Sequence, residues 1–255
     1  MRQFYNALGF VIGDLFRYRY RVSLQNLARA FPSASYAEIN QQHRLFYRNI
    51  ARVLTESLCP RIQQLEMESE SIDLLRTAQA TGKPIILLTG HYGNWEVLNK
   101  LPLQLGTPIQ ALYKPLKSKF WDRMFRKIRC TNGVRLLPAQ QASRILIREK
   151  EQQHITIFIA DQFPGKNNGL AIDFLSQDTH MFTGAEQLAK RLDAAVFYLQ
   201  LNPKDTRSWS VSLQAICTQA SLTTDGQITK SYTRKLEESI RQNPSLWLWT
   251  HKRWK

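Results

Sequence analysis

Pro84-Ile85-Ile86-Leu87-Leu88-Thr89 runs straight into Gly90-His91-Tyr92-Gly93-Asn94-Trp95-Glu96. The first part is a short continuous apolar run, which suits a strand covered on both faces. It stops at a glycine, and a helical pattern resumes from Trp95 to Leu105. The same alternation recurs downstream. Apolar runs lie at Ile109 to Tyr113, Val134 to Leu137, Ile155 to Ala160, Ala195 to Leu201 and Trp209 to Ile216. Helical segments lie between several of them, at Phe120 to Ile128, Gln140 to Glu149 and Ala185 to Leu192. Strands alternating with helices specify an α/β fold with a central, mostly parallel sheet flanked by helices. The later strands are candidates for antiparallel pairing.

Upstream of residue 83 the chain reads as mainly helical. Ser35 and Glu38 form a capping box. Ile39, Phe46, Ile50, Val53, Leu54 and Leu58 then share one face at helical spacing. Pro60 ends that helix. A second helix is expected from Gln64 to Ala80, stopped by Gly82. A last helix, Lys230 to Gln242, precedes Pro244. No repeat, low-complexity tract or linker divides the chain. It reads as a single domain: residues 1–82 a helical N-terminal extension, residues 83–255 an α/β catalytic core.

The chain has 255 residues, of which 43% are hydrophobic and 11% aromatic, so it is globular and not disordered. Cys59, Cys130 and Cys217 are odd in number and far apart. That pattern gives neither a disulfide framework nor metal-ligand spacing, so they read as free thiols, each a small buried hydrophobe. The formal net charge of +15 asks for an anionic partner, either nucleic acid or a membrane surface. The charge is clustered. Lys114, Lys117, Lys119, Arg123, Arg126, Lys127, Arg129 and Arg135 are opposed only by Asp122 within their stretch. No apolar run reaches the ~20 residues needed to cross a bilayer. The apolar N-terminal stretch, residues 4–16, is followed by Arg17, Arg19 and Arg21. It reads either as an interfacial amphipathic helix or as a helix packed on the domain.

The chemistry lies at the end of the first strand. In open α/β sheets, ligands sit beyond the carboxyl ends of strands. His91 stands there between two glycines that let the backbone turn sharply. His91 and Glu96 are five positions apart. On one continuous helix they would diverge by about 140°, so they meet only if His91 precedes the helix and Glu96 lies in its first turn. A carboxylate on one imidazole nitrogen fixes the tautomer and leaves the other nitrogen to take a proton from a hydroxyl. The pair therefore reads as a general base with its partner. The helical H-E-x-x-H spacing of zinc sites is absent, and no metal or other cofactor is expected. His43, His154 and His180 belong to no constellation and read as structural.

His91-Tyr92-Gly93-Asn94-Trp95-Glu96 resembles the H-x4-D/E block of the glycerolipid-type acyltransferase superfamily. In this form the chain is similar to the lipid A biosynthesis (Kdo-dependent lauroyl or myristoyl) acyltransferases. Other blocks follow in order: Asn26-Leu27-Ala28-Arg29-Ala30-Phe31-Pro32, Tyr113-Lys114-Pro115, Arg126 and Arg129 before Gly133, Asp161-Gln162, then Phe174, Thr183 and Gly184. The aromatic-basic end, Trp247-Leu248-Trp249-Thr250-His251-Lys252-Arg253-Trp254-Lys255, matches the family's C-terminal signature. The block at Asp173-Phe174-Leu175-Ser176 departs from the family's phenylalanine-rich pattern. Members usually begin with a membrane span, and none is present here. The resemblance thus implies attachment to the cytoplasmic face of the bacterial inner membrane, either peripherally or through an anchor outside this sequence.

The resemblance implies a fatty acyl group moved from an acyl thioester, usually acyl-acyl-carrier protein, to a hydroxyl of an anionic lipid A-type precursor. His91 and Glu96 would be catalytic; Asn94, Lys114, Arg126, Arg129, Asp161 and Gln162 would bind substrate. Backbone N–H groups from Gly90 to Asn94, or Arg129, would meet the oxyanion. Trp247, Trp249 and Trp254 read as core or as lipid-interface aromatics, and His251 as support for the site. Other acceptors, namely a lysophospholipid, an amino lipid or an aryl-polyene headgroup, fit the same chemistry. A basic nucleic-acid-binding protein is the rival class, but no nucleic-acid-binding signature is present.

Overall fold

The computed structural model describes residues 1–59, 63–165 and 168–254. Pro60, read above as a helix stop, and Lys255, the end of the C-terminal signature, lie outside them. The N-terminal part is built from α1 (Arg2–Phe10), a wider helical turn (Val11–Leu15), α2 (Tyr20–Ala30) and α3 (Tyr36–Leu58). Ser35 caps α3 as expected: its N–H donates to Glu38 Oε2 at 2.7 Å, and its Oγ accepts the Glu38 N–H at 3.3 Å. α1 packs on α3 through small residues. A Cβ on Gly9 would meet the backbone of Arg48 at 2.8 Å. The opposite side of this segment leaves Phe4, Phe10, Leu15 and Phe16 exposed, so it both packs on the domain and presents an apolar surface.

The rest alternates as expected: β1 (Gln64–Met67), α4 (Ser69–Ala80), β2 (Ile85–Thr89), a 3₁₀ segment (Trp95–Lys100), α5 (Leu101–Leu105), β3 (Ile109–Tyr113), α6 (Lys119–Arg129) and β4 (Arg135–Pro138). Then come α7 (Ala142–Arg148), β5 (Ile155–Ile159), β6 (Leu170–Asp173), β7 (Asp178–Met181), α8 (Gly184–Leu192), β8 (Ala195–Pro203), β9 (Ser208–Cys217) and α9 (Gln227–Gln242). Among the described residues, seven strands form one sheet in the order β1-β9-β8-β2-β5-β3-β4. β8, β2, β5, β3 and β4 run parallel; β9 pairs antiparallel with β8, and β1 lies parallel to β9 at the edge. β2 is central and buried throughout, which is why its sequence is apolar without alternation.

Two expectations need correction, and one element was not anticipated. Gln64 to Met67 does not open a helix. Leu65 and Met67 point inward and Gln64 and Glu66 outward, giving a strand paired with β9; four residues of alternation merge with the helical pattern that follows. A second, two-stranded sheet of β6 and β7 carries no turn signal in the sequence. Its turn places Leu175 (φ 55°) and Ser176 (φ 60°) in the left-handed region, with Phe174 N–H donating to the Gln177 carbonyl at 3.0 Å. Such turns favour Asn and Gly. Finally, Cys59 and Cys130 are exposed just past helix ends and are not buried hydrophobes; Cys217 is half-buried.

Candidate active site

The register of the central strands assembles the site. β2 pairs with β5 so that Thr89 lies opposite Ile159, and His91 and Asp161 each follow two residues beyond that pair. The His91 Nδ1–H donates to Asp161 Oδ1 at 2.7 Å, and the His91 backbone N–H donates to Asp161 Oδ2 at 2.8 Å. Trp247 Nε1–H donates to the same Oδ2 at 2.8 Å. The carboxylate thus has three donors in a buried position, as burial of a charge requires. Gly90 leaves room for it: a Cβ there would meet Asp161 Oδ2 at 3.2 Å and Leu236 at 2.8 Å. Gly93 has φ +65°, and a Cβ there would meet the Trp209 ring at 2.9 Å. The loop therefore needs glycine at both places.

This geometry corrects the expected partnership. The carboxylate on the imidazole is Asp161, not Glu96. Glu96 is held by Arg129, whose Nε and Nη2 donate to its two oxygens at 2.8 and 2.5 Å. Burial alone would lower the His91 pKa. The charge of Asp161 and its hydrogen bond outweigh that and, with a smaller contribution from the Glu96 charge, raise it above the ordinary value. Burial would likewise raise Asp161, but the His91 interactions outweigh it and hold the carboxyl down at about 2. With Nδ1 engaged by Asp161, Nε2 is the nitrogen left for a substrate. The His91 side chain is 18% exposed, so it can be reached.

His91 lines a cleft of about 350 Å³. Its apolar lining comes from the sheet and its loops, including Leu112, Leu136, Ile157 and Ile159. Its polar lining includes Glu96, Lys114, Arg129 and Gln162. An apolar slot with a few convergent polar groups is the usual form of a small-molecule site. α6 lies alongside with none of its residues buried. It and the preceding loop carry Lys119, Arg123, Arg126 and Lys127 around an adjoining hollow.

The expected site residues divide accordingly. His91, Glu96, Lys114, Arg129 and Gln162 line the cleft, and Asp161 backs His91 from the buried side. Arg126 faces the adjoining hollow, with its guanidinium 5.9 Å from the Tyr113 ring centre. Asn94 does not face the cleft. It is fully buried, and its Oδ1 accepts the Glu96 N–H at 3.1 Å. Two of the backbone donors considered for an oxyanion are also committed: the His91 N–H to Asp161, and the Gly93 N–H to the Leu246 carbonyl at 3.0 Å.

Trp247 is the residue that sequence reasoning did not place in the site. It is a core aromatic that also orients Asp161. Around it the chain end clasps the His91 loop: the Leu248 N–H donates to the His91 carbonyl at 3.0 Å, and Tyr92 and Trp247 form an isolated antiparallel bridge. α2 holds this segment from behind, where Asn26 Nδ2 donates to the carbonyls of Trp249 and His251, both at 2.9 Å. Arg253 is buried against Phe163 and Phe174 and donates to Thr179 Oγ1 at 2.6 Å and the His180 carbonyl at 2.7 Å. Two blocks at opposite ends of the sequence are thus one structural unit.

The chain is similar to known acyltransferases. Two relatives are phosphatidylinositol mannoside acyltransferases. That of Mycobacterium tuberculosis (strain CDC 1551 / Oshkosh) is 21% identical over 243 residues, covering 90% of this chain and 75% of the relative. That of Mycolicibacterium smegmatis (strain ATCC 700084 / mc(2)155) is 25% identical over 135 residues, covering 52% and 44%. The family model described as bacterial lipid A biosynthesis acyltransferase matches residues 1–255. With its whole length matched by the family model, the chain belongs to the bacterial lipid A biosynthesis acyltransferase family.

Proposed function

We propose that this acyltransferase moves a fatty acyl group from an acyl thioester, carried by acyl-carrier protein, to a hydroxyl of a lipid A-type precursor. The observation that carries the reading is His91, held by Asp161 through Nδ1, in the lining of a largely apolar cleft. His91 Nε2 takes the proton of the acceptor hydroxyl as its oxygen attacks the thioester carbonyl carbon. The tetrahedral oxyanion is met by Arg129, whose Nη1 is not engaged by Glu96. Collapse breaks the carbon–sulfur bond, and the leaving phosphopantetheine thiolate takes the proton back from His91. Glu96 orients the Arg129 guanidinium. Asp161 keeps the His91 tautomer and stabilises the imidazolium.

Lys114 and Gln162 at the cleft, and Arg126 beside it, would hold the polar head of the acceptor; arginine is suited to a phosphate. The two relatives, named as phosphatidylinositol mannoside acyltransferases, support a second acceptor class, a phosphoinositol-based glycolipid. We place the protein on the cytoplasmic face of the bacterial inner membrane. No helix among the described residues is long and apolar enough to cross a membrane. Support for a peripheral seat comes from Phe4, Phe10 and Phe16 on the N-terminal helices, and from Phe120 and Trp121, all exposed, the latter two among the cations of α6.

The test is mass spectrometry of membrane lipids from cells with and without the gene, and with the gene carrying His91→Ala. Loss of one acyl chain from lipid A in both altered strains is expected. An unchanged lipid A with loss from another lipid would move the acceptor. Normal acylation by His91→Ala would remove the base assignment.

A further inference from the structure

A buried carboxylate outside the cleft has no part in the chemistry above. Glu56, on α3, is fully buried. Arg52 Nε donates to its Oε1 at 2.7 Å; Asn94 Nδ2 and Trp209 Nε1 donate to its Oε2 at 2.7 and 2.8 Å. Asn94 Nδ2 also donates to Gln63 Oε1 at 2.9 Å. The amide orientation is dictated by its surroundings: two oxygens face one end of the Asn94 side chain, and the Glu96 N–H faces the other. Asn94 caps the 3₁₀ segment in this way. Glu96, thus anchored, grips Arg129 through both oxygens.

We propose that Glu56 is a positioning residue for acyl transfer. It holds the Asn94 amide, which sets the backbone of Glu96, whose carboxylate aims Arg129 at the reacting centre. The last step rests on the reading of Arg129 given above; the first three are hydrogen bonds within the protein. Glu56 comes from a helix that contributes nothing to the cleft lining. It therefore links the helical N-terminal part to the catalytic loop.

A merely structural Glu56 would affect stability without regard to Asn94. A positioning role makes the two residues interdependent, and a swap tests this. Glu56→Gln removes the charge and leaves a single carbonyl oxygen to meet donors from Arg52, Asn94 and Trp209, and Asn94→Asp sets two carboxylates face to face. In the double variant Glu56→Gln/Asn94→Asp the amide at position 56 has a carboxylate at position 94 to donate to, and that carboxylate can still cap the Glu96 N–H. Two readouts are used on purified, folded protein: the NMR resonance of the Arg129 Nε–H, assigned with Arg129→Lys, and steady-state acyl transfer.

Each single variant is expected to shift or broaden the Arg129 Nε–H signal. Each should lower kcat by about 10- to 100-fold, with the acyl-donor KM changed by no more than about threefold. The double variant should recover both. An unshifted Arg129 signal and an unchanged kcat in folded Glu56→Gln would overturn the proposal, as would a double variant no better than its worse parent. If Glu56→Gln does not fold, Glu56→Asp keeps the charge but withdraws it from Asn94, and the same two outcomes apply. The Arg129 signal needs no substrate. Absence of transfer in the unaltered protein would thus remove the reading of the reaction, while the signal still decides the role of Glu56.

Discussion

Asp161 receives hydrogen bonds from the His91 ring, the His91 backbone and the Trp247 indole. Each fixes a different degree of freedom: ring orientation, loop position, and the carboxylate itself. Trp247→Phe keeps an aromatic ring in the core, removes the indole donor and leaves a smaller side chain in a buried site. It should lower kcat by about tenfold, matching the loss of one buried hydrogen bond at about 1 to 1.5 kcal/mol, and lower the melting temperature through the lost bond and packing. Calorimetry and steady-state kinetics on the same sample check this. A large loss of stability with unchanged kcat would make Trp247 a packing residue only. At this scale His91, Glu96, Lys114, Arg129 and Gln162, which line one cleft, could be grouped from the sequence, because most of them lie at or beside strand ends that the sequence marks. The exchange of partners between Glu96 and Asp161 was not. It depends on β2 lying beside β5, whereas sequence order would place β3 next to β2.

Elements with continuous apolar runs were readable to within a residue or two, since burial on both faces leaves its mark on composition. β1 and the β6–β7 hairpin were not. The first is too short, and the second turns on Leu175 and Ser176, where the left-handed conformation normally selects glycine or asparagine. Ser176 is exposed, so a substitution there acts on the backbone alone. Ser176→Gly relieves the left-handed strain and is expected to stabilise the protein by about 1 kcal/mol, less the entropy lost on ordering glycine. A chemical denaturation midpoint moving upward with unchanged slope would confirm it; a downward shift would show that the turn is not strained there.

Across the whole molecule, the helical N-terminal part and the C-terminal signature meet behind the His91 loop. Asn26 on α2 bonds the carbonyls of Trp249 and His251, and Glu56 on α3 reaches Asn94. Neither connection has a local sequence signal, because both join positions far apart in the chain. The charge distribution was legible, and it belongs to the same scale. A net charge of +15 with exposed aromatics on α6 should give binding to vesicles of phosphatidylethanolamine with phosphatidylglycerol, weakened by salt. Vesicle flotation should show Phe120→Ser/Trp121→Ser weakening that binding by about tenfold or more, given ~25 cal/mol per Å² of apolar surface. Unaltered flotation would remove α6 from the contact.

The pairing of His91 with Asp161 is the claim on which the rest depends, and the pH dependence of kcat/KM tests it most directly. The free enzyme must hold His91 neutral to accept a proton, so the rate rises with pH through the His91 pKa. Asp161 raises that pKa, which puts the acid limb above the ordinary imidazole value of about 6.5. Asp161→Asn should move the limb downward and lower kcat by about 10³- to 10⁴-fold through the wrong tautomer. Glu96→Gln should move the limb less. A limb unmoved by Asp161→Asn but displaced by Glu96→Gln would contradict the account.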